Sequence, residues 1–346
     1  MPVQEPAYPV VPSDEQLVLR SEQASVLRWQ PATPSAPAAS VLDLGSLPEY
    51  TDLSSGKQLP DALSKDRLDD LRKRGLTESA IRKLQNPAYQ FPTVKDQLSC
   101  LVGCIEVGRT ERESVAGKDV IMILGKTGTG KSTTVNVIQG HRMTKVQGGD
   151  LGGAAIVVDP RQEQHGKVAE VGHSGQSMTF IPDVVEGRYT ICDCPGFADN
   201  RGSEISIANA VNIQKIVGSA KSIRIILVVD YMELMVERGK GIAETAAILR
   251  AVLGNESVVE RHAASIMVGV TKMPIVEGKT LAQLKTALCN QDALFTHLKD
   301  RIAIIDAIGN GPADWHGADA LSTDLDGLTP LESPKSVLQI VLTEMD

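Results

Sequence analysis

The sequence predicts an α/β fold, with a mostly parallel sheet, one antiparallel edge strand and helices on both faces. From residue 117 onward, short β-rich runs such as "KDVIMIL" and "AASIMVGVT" alternate with helical stretches such as "GIAETAAILRAVLG". This alternation is typical of consecutive βαβ units. In "TFIPDVVEGRYTICD", two β-rich runs are joined by Glu186-Gly187. That junction indicates a hairpin and therefore an antiparallel strand at the edge of the sheet.

The composition changes twice along the chain. Residues 1–60 are rich in Pro, Ser and Ala, and we expect an extended or disordered segment there. Residues 61–116 carry helical patterns and predict a small helical module. Residues 117–346 are expected to form the α/β domain, including a C-terminal helix that begins at Ser333-Pro334.

Capping signals mark the expected helices of the module. Thr77 precedes "ESAIRKLQ" and Thr93 precedes "VKDQLSCLVGCIEV", and threonine is a favourable N-cap residue. The helix before Thr77 is expected to stop at Gly75. The helix after Thr93 places five apolar side chains on one face, namely Val94, Leu98, Leu101, Val102 and Ile105.

The overall composition indicates an aliphatic core and disfavours several functional classes. Hydrophobic residues make up 42% of the 346 residues, but aromatic residues make up only 3%. The net charge of −8 argues against nonspecific nucleic-acid binding and against an anionic membrane surface. No apolar run reaches the roughly 18–20 residues of a transmembrane helix, and the N-terminus lacks a signal-peptide pattern. The five cysteines are expected to be reduced thiols of a cytoplasmic protein.

A glycine-rich stretch, "GKTGTGKST", follows the β-rich run "DVIMIL" and precedes a helical stretch. It matches the pattern G-x-x-x-x-G-K-[ST] at Gly125, Gly130, Lys131 and Ser132. The glycines let backbone N–H groups turn inward around phosphate oxygens, while Lys131 adds a positive charge and Ser132 offers a hydroxyl to Mg²⁺. The predicted nucleotide-binding residues of this loop are Gly125, Lys126, Thr127, Gly128, Thr129, Gly130, Lys131, Ser132 and Thr133.

A second motif, "DCPGF", follows the predicted hairpin. Asp193 ends an apolar run, and Gly196 comes three residues later. A carboxylate at this place can hold Mg²⁺ through water, and a glycine amide can contact the γ-phosphate. Such a pair would sense whether the third phosphate is present.

The stretches "GKTGTGKST" and "DCPGF" together resemble the translation-factor-related class of P-loop GTPases. The closer likeness is to septins, chloroplast-import receptor GTPases and immunity-associated GTPases, and it covers roughly residues 117–310. The resemblance implies a P-loop NTPase (G-domain) fold that binds GTP or GDP with Mg²⁺. It also implies slow hydrolysis and a GTP-dependent homodimer.

The same family places a switch hydroxyl before the hairpin. The stretch "VGHSGQSMTF" offers Ser174, Ser177 and Thr179 for this role, and Thr179 is favoured. The expected metal-binding residues are then Ser132, Thr179 and Asp193. The expected catalytic residues are Lys131, Thr179 and Gly196.

The base-recognition segment departs from the family pattern. The family has Asn/Thr-Lys-x-Asp after the fifth strand, and here Thr271 and Lys272 fit but Pro274 replaces the aspartate. Proline offers no side-chain acceptor, and the loss of such a bidentate contact is worth about 1–3 kcal/mol in base recognition elsewhere. A carboxylate such as Glu277 or Asp306 is an alternative acceptor. A weakened preference for guanine is expected.

The hydrolysis machinery also departs from that of many GTPases. Phe197 stands where a water-orienting glutamine often follows the glycine, and Ala198 comes next. Three functions follow as alternatives: a slow GTPase switch, a nucleotide-held scaffold (pseudo-GTPase) with little turnover, and an ATPase. The hairpin between the phosphate loop and Asp193 favours the GTPase arrangement over an ATPase.

Overall fold

The computed structural model of the protein describes residues 65–147, 154–161, 166–172, 179–196, 201–235, 239–275 and 280–338. Within these ranges the strands are β1 (Asp119–Leu124), β2 (Met143–Gln147), β3 (Ala154–Val158), β4 (Asp183–Glu186), β5 (Thr190–Asp193), β6 (Ser222–Asp230), β7 (Ile266–Thr271), β8 (Ile302–Ile304) and β9 (Leu331–Glu332). The α-helices are α1 (Lys65–Lys73), α2 (Glu78–Gln85), α3 (Val94–Val107), α4 (Arg109–Ser114), α5 (Lys131–Ile138), α6 (Ser203–Ser219), α7 (Tyr231–Met235), α8 (Lys240–Leu253), α9 (Glu256–Arg261), α10 (Leu281–Gln291), α11 (Leu294–His297) and α12 (Ala318–Asp326).

Seven of the described strands form one mostly parallel sheet, in the order β4-β5-β1-β6-β7-β8, with β9 beside the start of β6. The neighbours of β1 are β5 and β6, and both pair with it in parallel. β4 pairs with β5 in antiparallel register, with Asp183 opposite Asp193 and Glu186 opposite Thr190. The α/β fold with an antiparallel edge strand, predicted from the chain pattern, is therefore confirmed.

Both faces of the sheet are covered, as continuous apolar runs in its central strands require. Side chains of β1 alternate between two apolar cores, with Val120 and Met122 in one and Ile121 and Ile123 in the other. The first core also contains α8 and α10, and the second contains α5 and α12. Because the strands are parallel, their carboxyl ends meet at one edge, where the loops that follow β1, β6 and β7 come together.

The sequence patterns did not predict two features of the sheet region. β2 and β3 form a separate antiparallel pair, with Met143 opposite Val158. β9 pairs antiparallel with β6 through Ser222–Glu332 and Ile223–Leu331. The C-terminal helix predicted to begin at Ser333-Pro334 is wrong for the described residues: Pro334–Ser336 form only a 3₁₀ turn, Ser333 provides no side-chain cap, and Val337 and Leu338 are not helical. The later residues of that prediction lie outside the described residues.

The helices α1–α3 form a third apolar cluster. Thr77 and Thr93 cap α2 and α3 by accepting hydrogen bonds from the amides of Ala80 and Asp96, as predicted. The cluster joins the helices α1–α3 to residues that directly follow Thr179 and to residues at the start of α6. Its members there are Phe180, Ile181, Ile205 and Ala208.

The apolar face predicted for α3 is divided: Leu101 and Ile105 pack against this cluster, but the other three predicted side chains do not. Val94, Leu98 and Val102 are exposed, whereas the opposite face, with Cys100 and Cys104, is buried. Helical periodicity places the five predicted side chains together, but it does not decide which part of a broad apolar surface packs inward. α3 therefore presents an apolar stripe on the protein surface.

Candidate functional site

The phosphate loop connects β1 to α5 and adopts the backbone that its glycines permit. Gly125, Gly128 and Gly130 have φ angles of 150°, 82° and 92°, in the region that side chains disfavour. A Cβ atom on Gly125 would also lie 2.6 Å from the carbonyl oxygen of Val228 in β6. The glycine pattern is thus required by the local path of the chain.

Lys131 is the first residue of α5 and is buried, with a relative exposure of 6%. Its Nζ donates a hydrogen bond to the carbonyl oxygen of Lys126 at 2.7 Å, and this bond links the end of the loop to its beginning. The N-terminal amides of α5 and the Lys131 ammonium therefore lie at the same place. Together they form a cationic concavity of the kind that binds phosphate groups.

The three predicted metal-binding residues meet: two hydroxyls contact one carboxylate oxygen of the third residue. Ser132 Oγ donates to Asp193 Oδ2 at 2.6 Å, and Thr179 Oγ1 donates to the same oxygen at 3.3 Å. They come from α5, from the segment before β4 and from the end of β5. Ser174 and Ser177, the alternatives to Thr179, lie outside the described residues.

Asp193 is buried, with a relative exposure of 1%. Burial raises the pKa of its carboxyl to about 6, against the opposing effects of the Lys131 ammonium and the Ser132 hydroxyl. In the described part of the chain, its Oδ1 atom has no hydrogen-bond partner. A buried carboxylate oxygen in need of a partner, beside two hydroxyls, fits a hard cation such as Mg²⁺.

Gly196 lies directly against the phosphate loop. A Cβ atom on Gly196 would come within 2.1 Å of Thr127 Oγ1 and 2.7 Å of the Thr127 backbone nitrogen. This approach admits no side chain, so the glycine of the second motif brings its backbone close to the phosphate loop. Phe197 and Ala198 lie outside the described residues.

Thr271 and Lys272 fasten the end of β7 to the phosphate loop. Thr271 Oγ1 donates to the carbonyl oxygen of Thr129 at 2.6 Å, and Lys272 Nζ donates to that of Gly128 at 2.6 Å. Lys272 has a φ of 56° and also donates to Asp230 Oδ2 at 2.7 Å. Asp230, at the end of β6, is a site residue that the sequence patterns did not identify.

Lys126 points towards two acidic side chains that the sequence patterns also did not identify. Its Nζ donates to Glu244 Oε2 of α8 at 2.6 Å and lies 3.9 Å from Glu233 Oε1 of α7. Thr245 Oγ1 donates to the other oxygen of Glu233 at 2.8 Å. The Lys126 side chain thus ties the phosphate loop to α7 and α8.

A cavity of about 850 Å³ extends from the phosphate loop to the loops after β7 and β8. Its far end is lined by Met273, Pro274, Ile275, Ala307, Ile308, Asn310 and Trp315. Asp306 also lies there, but its carboxylate accepts hydrogen bonds from the amides of Ile308, Gly309 and Gly311 at 3.2, 2.8 and 2.7 Å. Glu277, the other alternative acceptor, lies outside the described residues.

Two negative findings apply to the described ranges. No group of three or more His, Cys, Asp or Glu side chains there has the geometry to hold a metal ion. None of the helices seen there combines the length and the apolar character needed to cross a bilayer. The five cysteines are free thiols, and only Cys289 is partly exposed.

Comparisons with known proteins give weak likenesses. No protein-family model matches the chain, and no curated protein matches it significantly. A chain of the signal recognition particle receptor SRb-GTP/SRX complex from Chaetomium thermophilum is 14% identical, with a TM-score of 0.32, over 57% of this chain and 94% of that one. Two mutation variants of SsGBP are 13% and 14% identical, with TM-scores of 0.34 and 0.29, each over 78% of this chain and 87% of theirs.

The class of the fold follows from the chain itself. The strand order, the glycine-rich loop between β1 and α5, and the antiparallel β4 define an α/β fold with a mostly parallel sheet. Open α/β sheets bind their ligands at the carboxyl ends of the parallel strands, which is where the cavity lies.

Proposed function

We propose that the protein binds GTP with Mg²⁺ and hydrolyses it slowly, as a nucleotide-dependent switch that self-associates. The observation that carries this proposal is that the Ser132 and Thr179 hydroxyls both contact one carboxylate oxygen of Asp193, beside Lys131. Multiple-turnover hydrolysis of labelled GTP and ATP by the purified protein tests it. Release of phosphate from ATP alone would favour an ATPase, and tight binding without turnover would favour a scaffold.

Each residue of the site has a role in this proposal. The amides of residues 125–133 and the Lys131 ammonium bind the β- and γ-phosphates, and the Gly196 amide contacts the γ-phosphate. Ser132, Thr179 and Asp193 hold Mg²⁺, and neutralisation of phosphate charge is the chemistry that this ion supplies when bound. Thr271 and Lys272 support the loop from the side of the base.

A second copy of the protein is proposed to complete the catalytic site. Phe197, at the position where many GTPases have a glutamine, offers no group to orient water. The proposed docking face comprises the loops around residues 173–179, 197–204 and 231–241. Met232 and Met235 of α7, in the described part of this face, are exposed to solvent, as is common for apolar residues at protein interfaces.

A cytoplasmic location is part of the same proposal. Cys100, Cys104, Cys192 and Cys194 are buried thiols, and no disulfide joins any of the five cysteines. Free thiols are typical of reducing compartments.

Guanine is expected to be preferred over adenine, but weakly. The cavity retains Thr271 and Lys272 and lacks a carboxylate at Pro274, while the Asp306 carboxylate is occupied by its own loop. Pro274→Asp is expected to raise the preference for guanine by about 1–3 kcal/mol, or roughly 5- to 150-fold. Competition of a fluorescent GTP analogue by GTP and by ATP measures this ratio. Pro274→Ala is the matched control, and equal displacement by ATP and GTP in the wild type would contradict the preference.

Turnover per molecule is expected to rise with protein concentration. Catalytic groups delivered in trans accelerate GTP hydrolysis by about 10³- to 10⁵-fold in other systems, and a dilute monomer would lack them. Specific activity is measured across a hundredfold dilution series, with sedimentation in GDP and in a non-hydrolysable GTP analogue. We expect higher activity at high concentration and a larger mass in the analogue than in GDP. Constant specific activity with equal mass in both nucleotides would refute this prediction.

A further inference from the structure

The apolar stripe of α3 is a surface that the nucleotide site does not use. The stripe consists of Val94, Leu98 and Val102, which are 71%, 55% and 57% exposed. Their spacing of four residues places them along one side of a helix. The opposite side of α3, with Cys100 and Cys104, packs against α6 and the rest of the module. The stripe is therefore an apolar surface that no other described element of the chain covers.

A depression of about 710 Å³ lies beside the stripe. Its lining includes Leu98, Ser99 and Val102 of α3, and Arg74 and Gly75 of the turn between α1 and α2. Leu98 and Val102 thus form both a ridge and one wall of a hollow. A ridge of the same kind, from another helix, can pack into such a hollow.

The charges along one edge of the stripe indicate the occupant. Lys95 and Glu106 both line the depression, one near each end of α3. They are 11 positions apart (106 − 95), which is about three helical turns, so they lie on the same edge and are separated by about 16 Å. A two-fold axis perpendicular to α3 places the helix of a second copy antiparallel to the first. Each edge of the helix then lies next to the same edge of its partner. In an antiparallel pair of α3 helices, Lys95 of each copy therefore faces Glu106 of the other.

The same axis also aligns the apolar side chains. The midpoint between Lys95 and Glu106 falls between positions 100 and 101. About this point, Leu98 and Val102 of one helix alternate with those of the other along the seam. Opposite charges at the ends and interdigitating apolar residues at the centre make this face self-complementary, as an isologous dimer interface must be.

We propose that α3 mediates an antiparallel, two-fold pairing with a second copy of this chain. The contact uses Leu98 and Val102 of the stripe and two reciprocal Lys95–Glu106 pairs. It lies on the helical module and is formed whether or not nucleotide is bound. It is thus separate from the GTP-dependent association proposed above, and its failure would leave the nucleotide function untouched.

Charge reversal tests the proposed pairing on the full-length protein without nucleotide. Sedimentation velocity gives the dimer dissociation constant of each variant. Lys95→Glu and Glu106→Lys are each expected to weaken the dimer by about tenfold, because each places like charges together twice. The double variant is expected to restore the wild-type constant within about twofold. Lys73→Glu, an exposed reversal on α1, is the control and should leave the constant unchanged.

The same variants also show whether the effect of Glu106→Lys arises from contacts within one chain. Arg109 lies 3.9 Å from Glu106 in the same chain, so a purely local effect of Glu106→Lys would persist in the double variant. Urea unfolding checks that each variant is folded. A double variant no better than the singles would overturn the charge pairing.

Substitution of the stripe provides a second, independent measurement. Leu98→Glu is expected to weaken the dimer by about 100-fold, because it buries an unpaired charge at the centre of the contact, while binding of a fluorescent GTP analogue stays the same. Val102→Cys is expected to form a dimer-linking disulfide under mild oxidation. A wild-type protein that is monomeric at all concentrations overturns the proposal. If the Val102→Cys thiol of such a monomer resists a maleimide, the stripe is instead covered within the chain itself.

Discussion

Lys131→Ala is expected to abolish measurable binding of a nucleoside triphosphate. The Lys131 ammonium lies at the mouth of the phosphate loop, where it donates to the Lys126 carbonyl oxygen. Hydrogen bonds from a charged donor contribute about 1.5–3 kcal/mol each, and this lysine is expected to contact two phosphates. Loss of both contacts would weaken binding by about 10²- to 10⁴-fold. Isothermal titration calorimetry with GTP and Mg²⁺ measures the change.

The matched control removes a lysine elsewhere. Lys118 is exposed and pairs with Glu186 at 2.8 Å on the surface, so Lys118→Ala should bind GTP like the wild type. Thermal unfolding of both variants without nucleotide separates a binding defect from a folding defect. An unchanged affinity for GTP in Lys131→Ala would end the proposal that this loop binds the phosphates.

Phe180→Ala is expected to cost about 3–5 kcal/mol of stability. Phe180 is 2% exposed, and its ring lies 5.9 Å from the guanidinium carbons of both Arg67 and Arg201. The substitution would leave a cavity where α1, the start of α6 and the segment before β4 meet. Because Phe180 directly follows Thr179 in the chain, the Thr179 hydroxyl should also lose its position near Asp193. The midpoint of urea unfolding measures the first effect, and the affinity for GTP with Mg²⁺ measures the second.

A second phenylalanine separates these two effects. Phe295 is equally buried but belongs to the core beneath α8 and α10, so Phe295→Ala should cost a similar free energy of unfolding. It should leave the affinity for GTP and Mg²⁺ near the wild-type value under conditions in which both variants are folded. Equal affinities in the two variants would show that Phe180 supports stability alone.

The parts of the structure that sequence predicted are those that depend on local patterns. The loop after β1 needs glycines in left-handed conformations at Gly128 and Gly130, and a short motif specifies this. The β4–β5 hairpin is likewise encoded by two runs and the turn at Glu186-Gly187. Motif spacing also named Ser132 and Asp193 as candidate metal-binding residues, and the structure places them 2.6 Å apart, in α5 after the loop that follows β1 and at the end of β5. Their role in binding a metal stays a prediction.

The features that the sequence did not predict depend on contacts between distant positions. The Lys272–Asp230 and Lys126–Glu244 pairs join residues 42 and 118 positions apart, and no local pattern relates them. The β2–β3 pair was missed because "MTKVQ" mixes polar and apolar residues and pairs only with β3. The outward orientation of the α3 stripe depends on the packing of α6, which helical periodicity does not contain.

The third apolar cluster has a consequence for how the molecule unfolds. The Glu204 carboxylate at the start of α6 is buried, accepts a hydrogen bond from Gln97 at 3.1 Å and lies 3.9 Å from the Lys83 ammonium. Detaching the module from the sheet would break the contacts of Glu204 with Gln97 and Lys83 and expose Phe180 and Ile205 to water. We therefore expect the helices before residue 117 and the sheet after it to unfold in one cooperative transition. A fragment that begins at the first strand is expected not to refold alone, whereas one that begins ahead of α1 is expected to do so.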